Sequence, residues 1–465
     1  MTTPALIIPI ETKVRELHAK CLLAIHAAEA GMQVVLGDQR IIAESLHQLP
    51  LGIYVDKSIS RTKTAHYRRL RRLGFCVVAW CEEGLTYRDK AKYQFERVCA
   101  ASLDQLDAFF AWGAVHREDI LEIAPAARHK IHAHGNPRFD LLRAPLREMF
   151  ADEVHEIASH FSPYILVNSN FSKFNRFSGR EDFIEVLRTR GILTKREEED
   201  YYNRFIAHLG VVFEAFLAMI PQLAKALPDH KIIVRPHPSE DHGRWRSELR
   251  GVENLHVIAD GNVAPWIIGG TAVIHNACTT GLEAVILNRP TIAYVPVVDQ
   301  LFNRLSYLPN AVSIIARTAN EVIDAAKAAS VATLSNARAV SEQEQLLVQH
   351  IANATGALAS ERIVQTLLEL HGETGLPQAN LLRRTGARLH WAARRTAVRA
   401  KRAARRDTTL AAYMDQKFPG LSLAEIQKVV GAISAARGKQ MNLHLVAHPR
   451  LPQSFVMAAG NTGPM

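Results

Sequence analysis

Short apolar runs recur along the chain, separated by longer stretches in which apolar positions return every three or four residues. The run "ALIIPI" (5–10) predicts a strand, and "ETKVRELHAKCLLAIHAAEAG" (11–31) predicts a helix that stops at glycine. "QVVLGD" (33–38), "GIYVD" (52–56), "FCVVAW" (75–80), "AFFAWG" (108–113) and "KIHAHG" (130–135) predict further strands, with helical text between most of them. Near-continuous apolar strands alternating with helices indicate a parallel sheet covered on both faces.

The rhythm breaks over 141–163, where charged helical text ends in "SP", and a second series begins. It runs through "YILVNSN" (164–170), a long helix near 199–227, "KIIVRP" (231–236), "LHVIA" (255–259), "AVIHN" (272–276), "TIAYVP" (291–296) and "AVSIIA" (311–316). Helical text at 319–329 and 341–371 is expected to close this half, and "KFPGLSLAEIQKVVGAIS" (417–434) predicts one more helix. The expected organisation is an α/β chain of two facing, doubly wound, Rossmann-like domains, 1–150 and 151–375, followed by a basic helical extension, 376–465.

Composition changes this picture in two places. The 465 residues are too many for one core, and 48% hydrophobic with 22% charged residues is ordinary for a soluble globular protein. Five cysteines without a C-x-x-C pair argue for a reducing compartment and against a disulfide framework or zinc site. The opening "MTTPALIIPIETKVREL" lacks the order of a signal peptide, and no window reaches 18 uninterrupted apolar residues, so a cytoplasmic location is expected. The net charge of +10 is local, because residues 380–406 hold ten Arg and Lys and no acid. The remaining 46 basic residues balance the 46 acidic ones.

Candidate chemistry sits in the second series. "KIIVRPHPSED" sets Arg235 and His237 between prolines where a strand runs out. Proline fixes the local backbone, and ligands of open α/β sheets bind at that strand edge. Both side chains suit a phosphate; the plain structural alternative is a histidine bracing its loop. "HNACTTGLEA" (275–284) then reads as strand, hydroxyl-rich turn and helix beginning near Leu282. Amides at a helix start favour an anion, Thr279 and Thr280 add hydroxyls, and Gly281 lets a ligand approach the backbone. Glu283 is placed to accept from ribose hydroxyls; capping by the threonines and a dipole match by Glu283 are the structural alternatives. Neither G-x-G-x-x-G nor a Walker A sequence is present.

The pair "RPHP" and "HNACTTGLEA", about 40 residues apart, resembles the GT-B class of sugar-nucleotide transferases. It is similar to the HP and hydroxyl-rich S motifs of bacterial capsule sialyltransferases, Kdo transferases and glycerol-phosphate polymerases. "IPIETKVREL" and "GNPRFDLL" (135–142) look like the bacterial surface carbohydrate biosynthesis protein family, and the resemblance covers roughly residues 5–370. Cys278 and Thr279 stand where relatives often carry serines.

The resemblance implies a nucleotide-sugar donor, cytidine-linked by first expectation, as substrate and no further cofactor. His237 would meet its phosphate together with Arg235, Thr279, Thr280 and Gly281, and Glu283 its ribose. Asn170 and Ser172 would face the same cleft or serve as a hydrogen-bonded loop. The first half would hold the acceptor, with Glu11 as the base that takes the hydroxyl proton and Glu82 and Glu83 in a similar strand-end position. Lys13 and Lys57 are further candidates for attracting an anion. His132 and His134 lie two apart on a strand without a third ligand, so no metal site is expected.

The implied activity is transfer of a sugar, of the 2-keto-3-deoxy acid type from a CMP donor, to a bacterial surface polysaccharide. The alternatives are a CDP-glycerol or ribitol phosphotransferase, a non-hydrolysing sugar-nucleotide epimerase, and a non-catalytic binding protein. The 380–406 stretch is read as lying on the anionic inner face of the cytoplasmic membrane, ahead of a solvated helix and of nucleic-acid binding.

Overall fold

The structure is a computed structural model that describes residues 4–87, 89–177, 181–189, 193, 195–302, 307–331, 341–374, 385–386, 389, 391, 393, 415–440 and 442–460. It divides into two compact units. In the first, strands β1 (Ala5–Ile10), β2 (Gln33–Asp38), β3 (Gly52–Asp56), β4 (Cys76–Trp80), β5 (Ala108–Ala111) and β6 (Ile131–Ala133) form a parallel sheet. β1 is buried along its whole length, as expected for an apolar central strand. Helix α1 (Lys13–Glu29) follows it, and α2 (Thr64–Leu73) links β3 to β4. Thr12 makes no side-chain cap on α1. Glu16 takes that role, accepting from Glu11 N at 2.9 Å and Thr12 N at 3.0 Å while pairing with Lys20.

The second unit spans Phe150–Leu347 together with the short piece Thr86–Asp89. Strands β7 (Tyr164–Asn168), β8 (Lys231–Arg235), β9 (Leu255–Val257), β10 (Ala272–His275), β11 (Thr291–Tyr294) and β12 (Ile314–Ala316) pair in parallel in the order β12-β11-β10-β7-β8-β9. Helix α3 (Arg196–Ala226) lays Val212, Phe213, Phe216, Ile220 and Leu223 over one face of this sheet. It is the one helix among the described residues long and apolar enough by composition to cross a membrane, and its apolar stripe is this core. Helices α4 (Val263–Gly269) and α5 (Thr279–Ile286) follow β9 and β10, and α6 (Ala319–Val331) packs on the α3 side. The fold class read from the sequence, two Rossmann-like doubly wound α/β units, is the one observed.

The end of the chain differs from expectation. Residues 348–465 belong to the first unit rather than to a second domain ending at 375 and a separate extension. The helical text of 341–371 is two helices, Ser341–His350 and α7 (Ala359–Thr374). Asp140, in "GNPRFDLL", accepts from Ala359 N at 2.8 Å, Ser360 N at 2.9 Å and Asn353 Nδ2 at 2.7 Å, so it caps the start of α7. Helix α8 (Leu423–Ala436) is tied to α1 through Lys13–Glu425 at 2.7 Å and Arg437–Glu29 at 2.7 Å.

The extension is not wholly helical either. β13 (Leu443–Ala447) and β14 (Ser454–Ala459) form a hairpin whose β14 pairs antiparallel with β2, Val456 opposite Val35. The completed order is β13-β14-β2-β1-β3-β4-β5-β6, with β14 covering an edge that β2 would otherwise leave open. The basic residues of 380–406 lie outside the described residues.

Candidate functional site

In the second sheet, β8 and β10 both neighbour β7. The loops that leave their C-terminal ends therefore flank the loop after β7, on the order of 10 Å apart across two strand spacings. The donor-site features read from the second series of the sequence sit on or beside these three loops.

The post-β8 loop is organised by a carboxylate that sequence reasoning passed over. Glu240 has no exposed surface. Its Oε1 accepts from Ser169 Oγ and Phe171 N, each at 2.8 Å, and from His237 N at 3.3 Å. Its Oε2 accepts from Trp245 Nε1 at 2.8 Å. Burial pushes its pKa up, against the pull of those donors. Glu240 thus pins the post-β7 loop to the histidine loop. His237 itself is half-buried, and its Nδ1 accepts from Ser239 N at 3.1 Å. In the neutral ring that bond leaves the proton on Nε2, a donor suited to a phosphate oxygen.

Arg235 does not accompany it. The guanidinium is 6% exposed, stacks on Trp266 at 5.1 Å and donates to Gly261 O at 2.9 Å. Burial drives its pKa down to about 10. Its place is the α4 side of the sheet, in register with Asn168 of β7.

The post-β10 turn is tighter than the sequence implied. Helix α5 starts at Thr279, with Cys278 as its cap residue, rather than near Leu282. No side chain caps it, so the first amides of the helix present their N–H groups at the sheet edge. Ala277 has φ +53, a left-handed conformation that costs an alanine energy and that collects at functional sites.

Gly281 serves a purpose other than ligand approach. A Cβ there would lie 2.6 Å from Nε2 of His275, which is fully buried. His275 accepts from Cys278 N at 3.4 Å and donates to Ser313 Oγ at 3.0 Å, and Ser313 donates to Pro309 O at 2.7 Å. Burial holds that imidazole neutral, at about 3. Thr279 Oγ1 is 3.0 Å from Thr86 Oγ1, within the same unit. Glu283 is buried, 2% exposed, as are Leu282 and Ala284 beside it in α5, so it does not present itself at the surface as the ribose acceptor expected from the sequence.

Beside this turn opens a pocket. Asn170 and Lys173 line it from the post-β7 loop, Asn276 and Ala277 from the post-β10 turn, Tyr294 to Val297 from the end of β11, and Phe205, His208 and Val212 from α3. Leu209, Phe302 and Asn310 also line it. Among the described residues no carboxylate lines it, and burial lowers the His208 pKa against the attraction of Asp299. Several buried polar atoms near this edge have no hydrogen-bond partner among the described residues: Asn168 Nδ2, Asn276 Oδ1, Thr280 Oγ1 and Asn310 Oδ1. Such atoms are costly unless something else satisfies them. Asn170 is thus at the pocket, whereas Ser172 is not among its lining residues. Lys173, Asn276, His208 and Asn310 were missed; only Asn276, inside "HNACTT", carried a sequence signal.

The first-unit candidates are engaged in ion pairs and packing. Glu11 pairs with Lys57 and with Lys417, the latter at 2.9 Å. Burial works against its ionisation, but the two ammonium groups outweigh it and hold the carboxyl at about 2. So low a pKa makes a weak proton acceptor, and the geometry places Glu11 in a latch with Lys417 rather than as a poised base. Lys57 also reaches Glu16 at 3.4 Å, and Lys13 pairs with Glu425, so neither lysine is available to attract a ligand. Glu82 accepts from Trp80 Nε1 at 2.7 Å, and Glu83 is exposed. His132 and His134 stack on each other at 5.2 Å, and His134 bonds Thr366 at 2.9 Å. Among the described residues no group of three potential metal ligands gathers.

No family model matches the chain, and no curated protein matches it. Solved structures are similar. The UDP-GlcNAc 2-epimerase of Methanocaldococcus jannaschii, in complex with UDP-GlcNAc and UDP, is 13% identical with a TM-score of 0.46, covering 79% of this chain and 100% of its own. The enzyme of the same name from Neisseria meningitidis, bound to UDP-GlcNAc, is 14% identical with a TM-score of 0.47 over 79% of this chain and 100% of its own. The wall teichoic acid polymerase TagF is 12% identical with a TM-score of 0.49 over 80% of this chain and 89% of its own.

Proposed function

We propose that the chain is a nucleotide-sugar-dependent glycosyltransferase of bacterial surface carbohydrate synthesis, with its donor held at the C-terminal edge of the second sheet. The observation that carries this reading is the gathering at one edge of an uncapped helix start, a strained turn at Ala277, the half-buried imidazole of His237 and a pocket lined, among the described residues, by no carboxylate. Such an edge suits a diphosphate or phosphodiester with a sugar and base attached. In this reading His237 Nε2 and the first amides of α5 share the phosphate, and they stabilise the charge that grows on it as the sugar departs. Asn170, Asn276 and Lys173 face the pocket in which the rest of the donor lies. A cytidine donor, an acidic sugar and a surface glycan acceptor are the finer parts of the proposal, resting on the motif resemblance. The enzyme would work at the inner face of the cytoplasmic membrane, drawn there by the ten basic residues of 380–406.

The test is thermal stability in the presence of CMP, CDP, UDP or GDP. A nucleotide at 100 times its Kd stabilises the folded state by about 2.7 kcal/mol, a rise in Tm of roughly 5–10 °C for a unit of this size. H237A should remove both the shift and sugar transfer, with circular dichroism establishing that the variant folds. The proposal is refuted if no nucleotide moves Tm, or if H237A binds donor as the parent does.

A further inference from the structure

The charged residues of the body balance overall, yet they are not evenly placed. Residues 57–81 contain no acid, and Arg61, Lys63, Arg68, Arg69, Arg71 and Arg72 fall within them. Helix α2 buries Tyr67, Leu70 and Leu73 against the sheet. Its opposite face, with the turn before it, exposes Arg61, Arg68, Arg71 and Arg72. Two of the basic groups are neutralised within the unit, Lys63 by Asp56 at 2.7 Å and Arg71 by Asp107 at 2.8 Å. Arg61, Arg68 and Arg72 have no ion pair with any described residue.

This arrangement is unfavourable for the helix itself. Arg68 and Arg72 are one turn apart, where like charges destabilise. The helix dipole compensates charge only in the last turn, which accounts for Arg71 and Arg72 and leaves Arg61 and Arg68 unexplained. An apolar contribution adjoins the patch. Arg69 lies 4.4 Å from the ring of Trp391, so a point in the middle of the 380–406 stretch rests on this helix. Leu389, two residues before it, is 68% exposed.

We infer that the solvent face of α2, through Arg61, Arg68 and Arg72, is a docking surface for an anionic lipid bilayer, with Leu389 entering the interface beside it. Arginines match clustered lipid phosphates, and an exposed leucine gains free energy in the interfacial region. A nucleic-acid backbone would use the arginines but offer nothing to the leucine, and that favours the bilayer. The inference is independent of the donor site, which lies in the other unit.

Sedimentation of the full chain with phosphatidylglycerol-containing vesicles, against pure phosphatidylcholine vesicles, tests it. The parent should bind the anionic vesicles alone and release them as salt is raised. R68Q/R72Q should weaken binding about 30-fold, at roughly a factor of five per arginine. R68K/R72K should restore it, because charge rather than fork geometry is what acts. Circular dichroism melts establish that both variants fold. Undiminished vesicle binding by folded R61Q/R68Q/R72Q overturns the inference, and so does a parent that binds duplex DNA but not anionic vesicles.

Discussion

Replacement of Glu240 probes the candidate site most directly, because its cost can be worked from the bonds it makes. E240A removes the acceptor of Ser169 Oγ, Phe171 N and Trp245 Nε1, all at 2.8 Å and all buried. A buried donor left unsatisfied costs about 1–3 kcal/mol. Relaxation and entering water recover part of this, so the expected loss is about 3–6 kcal/mol, a large share of a typical 5–15 kcal/mol. E240Q is gentler. Its carbonyl replaces Oε1 and keeps three donors, but its amide opposes Trp245 Nε1–H and Asn175 Nδ2, and about 1–3 kcal/mol should be lost.

The two variants also differ from the parent in pH dependence. Burial raises the folded-state pKa of Glu240 above its ordinary value of 4.5. The folded state then holds this proton more tightly than the unfolded chain, so the protonated form's stability is present below 4.5 and declines as pH rises through the raised pKa. E240Q should lack that decline. Urea titrations from pH 4 to 8, comparing parent and variant, measure both effects. A loss below about 1 kcal/mol in E240A, or an identical pH slope in E240Q, would show that Glu240 is not the hub described here.

Two further predictions concern the neighbours of the site and the latch in the first unit. G281A places a methyl group 2.6 Å from a buried, hydrogen-bonded imidazole and should cost about 1–3 kcal/mol by thermal or urea unfolding; a neutral result would mean that His275 can move aside. Glu11 has a folded pKa of about 2 against an ordinary 4.5, so it contributes stability above 4.5 that is lost as pH falls towards 2. E11Q should cost about 1–3 kcal/mol at pH 7 and flatten the acid limb of the stability curve, and an unchanged acid limb counts against the latch.

The inner strands were legible because parallel strands such as β1, β3, β4, β7 and β10 are buried on both faces and so read as nearly unbroken apolar runs. β2, β3 and the start of β8 fall where the runs placed them. The terminal hairpin was not legible. β13 and β14 are only partly buried, alternate less clearly, and owe their strand conformation to pairing with β2. "GNPRFDLL" stood out as a motif, yet its work is structural: Asp140 caps a helix more than 200 residues later in the chain. The site divided in the same way. His237 and the α5 turn were found from strand, proline and hydroxyl pattern. Glu240 was overlooked only three residues beyond His237, because an acidic residue in a loop looks exposed until its donors are known.

The sequence by itself determined the alternation of strands and helices, the two series and the strand edge at which chemistry gathers, because these follow from local periodicity and backbone stereochemistry. Tertiary structure decided which side chains face that edge. It turned Arg235 and Glu283 inward, engaged Glu11 with Lys57 and Lys417, and brought His208 and Asn310 to the pocket of Asn276. The physical reason is that orientation, ionisation and partnership depend on neighbours distant in the chain, and on the low dielectric they create, neither of which a local pattern contains.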